Sequence, residues 1–207
     1  MNVKQLVALG LLSLTAGMTG LNASNTTENR NEMEKLTLTK EWDKTFPKSD
    51  KVDHSKVTFV NRYGITLAAD MYKPKHSTGK LPAIAVCGPF GAVKEQAAGL
   101  YAQEMAERGF LTIAFDPSFT GESGGTPRYM TSPDINTEDF NAAVDYLVTN
   151  PEVDSEKVGI LGICGWGGIA INAAACDPRI KATLASTMYD MSRVSSNGYF
   201  DAADSAE

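Results

Sequence analysis

The 207-residue chain is poor in the residues that most metal and redox centres need, with three Cys, two His (His54 and His76) and no Cys-x-x-Cys pair. Cys87, Cys164 and Cys176 are too few and too far apart for a disulfide framework, and an odd count leaves one thiol unpaired within the chain. A zinc site of His and Cys ligands would be hard to assemble from this set, so no metal or other cofactor is expected. Positive charge is scarce too. Nineteen Lys and Arg against 25 Asp and Glu give a net charge of −6, which argues against a phosphate-binding surface and against nucleic acid as a partner. What remains is ordinary: 43% hydrophobic and 21% charged residues, without repeats or low-complexity tracts, exclude disorder, collagen and coiled coil and point to one globular domain.

The first 23 residues, MNVKQLVALGLLSLTAGMTGLNA, place one cation, Lys4, before an apolar stretch that ends in small and polar residues. That is the pattern of a secretory signal peptide, with Ala23 a candidate cleavage point. The stretch is short and diluted by Gly, Ser and Thr for a membrane anchor. Export to a periplasm or the exterior is therefore expected, with no stable membrane insertion after cleavage. Residues 24–50 are polar with few apolar anchors and read as a solvated lead-in, leaving 51–207 as the domain.

Within the domain, residues 56–61 (KVTFVN) and 65–72 alternate apolar and polar around a turn at Arg62-Tyr63-Gly64, which predicts a β-hairpin. Residues 81–87 (LPAIAVC), 111–115 (LTIAF), 157–164 (KVGILGIC) and 182–187 are continuous apolar runs, the pattern of strands buried on both faces. Helical spacing fills the gaps. Residues 93–108 put Leu100, Met105 and Ala106 on one side and Lys94, Glu95 and Glu104 elsewhere. Residues 137–148 align Phe140, Ala143, Val144 and Leu147, and residues 168–175 follow the third run. A hairpin followed by alternating strands and helices predicts an α/β fold with a mostly parallel sheet and helices on both faces.

Ligands of such sheets bind beyond the carboxyl ends of the strands. Three of those ends carry unusual sequence: 87–92 (CGPFGA), 116–125 (DPSFTGESGG) and 162–168 (GICGWGG). The last has the form of a nucleophile elbow, a strand ending in a nucleophile, then small residues, then a helix. Cys164 would attack a carbonyl as its thiolate, and a helix N-terminus beginning there would favour that form. Cys164 as a small buried hydrophobe at a strand end is the competing reading. Residues 165–170 (GWGGIA) also fit the dinucleotide-binding pattern, with Asp190 about 20 residues on, although that fingerprint normally opens its fold.

Four features in order, the hairpin followed by YKP, then CGPFGAVKEQ, FDPSFTGESGG and PEVDSEKVGILGICGWGG, resemble the α/β-hydrolases, specifically the branch close to dienelactone hydrolases. The resemblance implies a hydrolase of an ester, lactone or thioester acting on a small molecule, with Cys164 as nucleophile. It also implies an oxyanion hole from the amides of Gly165 and Phe90, or Gly91 in place of Phe90, since Pro89 has no N–H. Asp116, Glu122 and Ser123 are expected to organise their loop.

Two departures stand out. The residue two beyond Cys164 is Trp166 rather than Gly. And no His follows Cys164, whereas the family's acid and His follow later strands. A truncated hydrolase, lacking the last strands with the acid and His, is the expectation. The alternative is a non-catalytic binding protein in which Trp166 lines a small-molecule pocket. Cys87 and Cys164, on neighbouring strands, are a further candidate as a redox-sensitive pair.

Overall fold

The computed structural model describes residues 34–205, so the expected signal sequence lies outside the described residues. The hairpin consists of β1 (Val52–Val60) and β2 (Thr66–Pro74), antiparallel from Val52 opposite Pro74 to Val60 opposite Thr66. Asn61 closes its turn, because its side-chain oxygen accepts the Tyr63 and Ile65 amides, both at 3.0 Å. Then come β3 (Leu81–Cys87), α1 (Ala97–Glu107), β4 (Leu111–Phe115), α2 (Pro133–Thr149), β5 (Val153–Ile163), α3 (Gly165–Cys176), β6 (Ile180–Ser186) and α4 (Met191–Asn197). The six-stranded sheet has the order β1-β2-β4-β3-β5-β6. Strands β4, β3, β5 and β6 run parallel, and the hairpin joins antiparallel through β2.

Strand side chains alternate between faces, and the sheet sorts its apolar residues accordingly. Leu111, Ile113 and Phe115 of β4, with Ala83, Ala85 and Cys87 of β3, pack under α2 and α3 against Phe140, Val144, Leu147 and Ile169. Val86, Ala114, Leu161 and Tyr72 face the other way, toward α1. The stripe of α1 that meets the sheet is Ala98, Ala102 and Ala106, not the predicted stripe through Leu100, which is 41% exposed. Methyl side chains at this spacing let the helix lie close to the strands, which a Leu in their place would prevent.

Cover runs out at one edge. On the α1 side, Ile84, Met105, Phe110, Leu161, Ala182 and Leu184 border an apolar groove of about 650 Å³ that the described helices leave open. Strand β6 is largely exposed along it. At the opposite edge the lead-in is not solvated throughout, since Phe46 is buried beneath α1 and the Thr45 amide donates to the Glu95 carbonyl at 3.0 Å. Among the described residues no helix is long and apolar enough to cross a membrane.

Candidate active site

The carboxyl ends of β3, β4, β5 and β6 bring four loops together. At the end of β5, Cys164 holds φ 61° and ψ −127°, and α3 starts at the next residue. A non-glycine residue in this region is strained, and such strain persists only where surrounding structure fixes it. Here the fixing contacts are visible. The Cys164 amide donates to the Ser186 carbonyl of β6 at 2.8 Å, and the Cys164 carbonyl accepts the Gly167 amide at 2.9 Å and the Tyr189 amide at 3.3 Å. Gly162 completes the turn, because a Cβ there would overlap the Trp166 carbonyl oxygen.

The chain therefore makes the sharp strand-to-helix turn of an elbow with Cys164 at its apex, half-buried. The helix begins three residues earlier than its sequence pattern indicates, which settles the register around Trp166. That residue is the second of α3, is 3% exposed, and packs on Phe140 with ring centroids 6.2 Å apart. Its side chain is part of the core and lies against α2.

Gly165 opens α3, where an amide has no acceptor within the helix. A Cβ on it would stand 2.7 Å from Met191 Sδ and 3.6 Å from Phe90 Cβ, so the β3–α1 loop, the elbow and the start of α4 meet at this corner. Among the described residues neither the Phe90 nor the Gly165 amide donates to a protein oxygen.

The loop carrying Phe90 is anchored by charge. Lys94, which the helical spacing places off the apolar side, has a fully buried side chain. Its amide and its Nζ donate to the two oxygens of Asp116 at 2.8 and 2.7 Å, and Nζ also meets Glu95 at 2.6 Å and Glu122 at 2.8 Å. Burial opposes the Lys94 charge, but Asp116 with the Glu122 and Glu95 hydrogen bonds outweighs it and holds the ammonium above its ordinary range. For Glu122, burial acts upward, while Lys56, Lys94 and the Thr39 amide prevail and bring it down to about 2. The carboxylates of Asp43, Glu95 and Glu122 converge as if around a cation, and the ammonium groups of Lys56 and Lys94 lie among them. Ser123 is fully committed, its Oγ donating to the Asp116 carbonyl at 2.7 Å and accepting the Ala68 amide at 2.8 Å.

The β4–α2 loop is pinned separately by Asp139, whose carboxylate accepts Asn61 Nδ2, the Ser118 amide and Oγ, and Asn136 Nδ2 within 3.0 Å. Burial raises its pKa against those hydrogen bonds.

The two histidines lie elsewhere. His54 is on β1, four strands from β5 in the sheet order, with Nε2 at 2.8 Å from Asp70 and its ring between Trp42 and Tyr72. His76 lies beyond β2 in the connection to β3. All three thiols are free. Cys87 is buried on the α2 side with its thiol donating to the Phe115 carbonyl, and burial pushes its pKa well up.

A family model, X-Pro dipeptidyl-peptidase (S15 family), matches residues 63–206. The chain belongs to that family. Its fold is that of the α/β-hydrolases, with the elbow after the fifth strand. Uncharacterized protein PA2218 of Pseudomonas aeruginosa is 61% identical over 196 residues, 94% of this chain and 53% of that protein. Its crystal structure superposes with a TM-score of 0.79, covering 81% of this chain and 52% of that one. A thiohydrolase of Aspergillus aculeatus, aneE, is 31% identical over 136 residues, 66% of this chain and 42% of that enzyme. A dienelactone hydrolase-like protein from Klebsiella pneumoniae shares the fold at 21% identity and a TM-score of 0.52, over 65% of this chain and 60% of that one. The chain thus spans about half the length of the curated relatives it matches. These likenesses, and a glycine-rich run after the fifth strand rather than the first, set the dinucleotide-binding pattern aside.

Proposed function

We propose that this chain carries the nucleophile and oxyanion hole of a cysteine hydrolase that cleaves an ester, lactone or thioester. The observation that supports it most is the backbone of Cys164, held in a strained conformation at the apex of a strand-to-helix turn. In this reading the Cys164 thiolate attacks the carbonyl carbon, and the oxyanion is held by the Phe90 and Gly165 amides. Collapse of the tetrahedral adduct expels the alcohol or thiol, and water then releases the acid from the acyl-cysteine. The Lys94–Asp116 pair keeps the Phe90 loop in place, and Ser186 and Tyr189 hold Cys164. The base and acid are assigned to the part of the relatives' length that this chain does not span, because His54 and His76 lie far from the elbow in the topology.

The thiohydrolase likeness favours a thioester among the three bonds. Mixing the chain with an acyl thioester should release about one equivalent of thiol per chain in a burst, absent from Cys164→Ala. Equal release by the variant would refute the assignment.

A further inference from the structure

The glycine run Gly165-Trp166-Gly167-Gly168 is only partly explained by the elbow. Cβ atoms on Gly165, Gly167 and Gly168 would stand 2.7 Å from Met191 Sδ, 3.2 Å from Met188 Cβ and 2.8 Å from the Tyr189 carbonyl oxygen. The missing side chains thus let the segment after β6 lie directly on the first turn of α3. Thr187, a β-branched residue at φ 46°, turns that segment back over the helix. The Tyr189 amide then fastens it to the Cys164 carbonyl.

The result is a cleft of about 410 Å³ that starts at Gly165 and runs between α3, the start of α2 and this segment. Its walls are mainly carbon, from Pro133, Ile169, Ile171, Met188 and Met191. The volume lies in the range of small-molecule sites, roughly 300–1,000 Å³. The polar side chains at its mouth have partners within the chain. Asn172 Nδ2 donates to Thr137 Oγ1 at 2.8 Å, and Asp190 accepts from Ser192 Oγ at 2.9 Å and the Arg193 amide at 3.0 Å. Arg193 pairs in turn with Asp201. The Asp190 carboxylate, on the lining, would repel a second anion.

We infer that this cleft is the acyl subsite of the proposed hydrolase and that it takes a neutral hydrocarbon acyl group rather than one ending in a carboxylate. The inference rests on Cys164 being the nucleophile. A carbonyl held by the Gly165 amide has its carbon at the elbow, and the group that remains on sulfur through the covalent intermediate needs a wall fixed to that cysteine. The segment from Thr187 to Met191 is such a wall. A leaving group, by contrast, has to reach solvent.

Alkyl chloromethyl ketones of increasing length test this. The thiol loses its proton to solvent, the thiolate forms a C–S bond and chloride departs, so this single alkylation needs no catalytic base. Peptide mapping follows alkylation at Cys164, with the exposed Cys176 as internal reference for the intrinsic reactivity of each reagent. The Cys164-to-Cys176 rate ratio should rise two- to fourfold per methylene until the cleft is filled. An ω-carboxylate on a chain of equal length should lower it at least tenfold. Ile171→Glu and, independently, Met188→Lys should flatten the series; both residues are about half exposed, so the fold tolerates them. Alkylation of Cys164 at a ratio independent of chain length would overturn the subsite and leave the nucleophile assignment standing. Failure of every reagent at Cys164 would overturn both.

Discussion

The two edges of the sheet end up in opposite conditions. At the hairpin edge, the Lys44 ammonium reaches Asp70 on β2 at 3.0 Å and Phe46 is buried beneath α1. Lys56 of β1 spans to Glu122 at 2.6 Å. At the β6 edge, Lys181, Ala182, Thr183 and Leu184 are all exposed, and Leu184 keeps 49% of its surface. An alternating pattern forms the strand at one edge and an apolar run at the other, and what lies over each decides how firmly it is held. The elbow sits on the boundary: Cys164 belongs to the well-packed β5, yet its amide is held by Ser186 of β6. The elbow thus borrows its geometry from the less protected edge.

The largest expected effect breaks the charged side of this contrast. Lys94→Met leaves the Asp116 carboxylate buried without a counter-ion and should cost about 3–5 kcal/mol in urea unfolding. A loss below about 1 kcal/mol would show that the ion knot does not hold the Phe90 loop. A smaller effect comes from acid. The folded pKa of Glu122, about 2, lies below its ordinary 4.5, so its contribution is complete above about pH 4.5 and is lost as pH falls toward 2. Stability should therefore fall less steeply across that interval in Glu122→Gln than in the parent, and identical slopes would remove Glu122 from the account. The smallest effect sharpens the other edge. Leu184→Lys should change unfolding free energy by less than about 0.5 kcal/mol and reduce self-association seen by sedimentation, since an uncovered strand edge invites pairing. A monomeric parent would contradict that expectation.

Legibility in the sequence followed the same contrast. Strands β3 and β4 match their predicted limits residue for residue, because continuous apolar runs mark strands covered on both faces. Strand β5 starts at Val153, earlier than the run at 157–164, and its added residues Asp154 to Glu156 are polar and carry no apolar signal. The pattern starts α3 at Gly168 whereas the helix opens at Gly165, and Gly165 and Gly167 are by propensity poor helix formers. Their role is close approach of the segment after β6, a tertiary contact no local pattern reports. The strand-to-helix turn at Cys164 and the approach of Phe90 to Gly165 are legible from motif order. Lys94 was not: a lysine beside a glutamate reads as solvent-facing, and only Asp116 at the end of the neighbouring strand, 22 residues away, makes it a buried ion. Met191 was missed for the same reason, being brought to Gly165 by the return of the chain after β6.

If geometry rather than exposure makes one of the three cysteines the nucleophile, the site of acylation will show it. The chain is treated with a substoichiometric acyl thioester, quenched in acid, and mapped by peptide mass. The acyl group is expected on Cys164, although Cys176 is the more exposed thiol, with none on buried Cys87. Acyl groups on Cys176 in preference to Cys164 would contradict it.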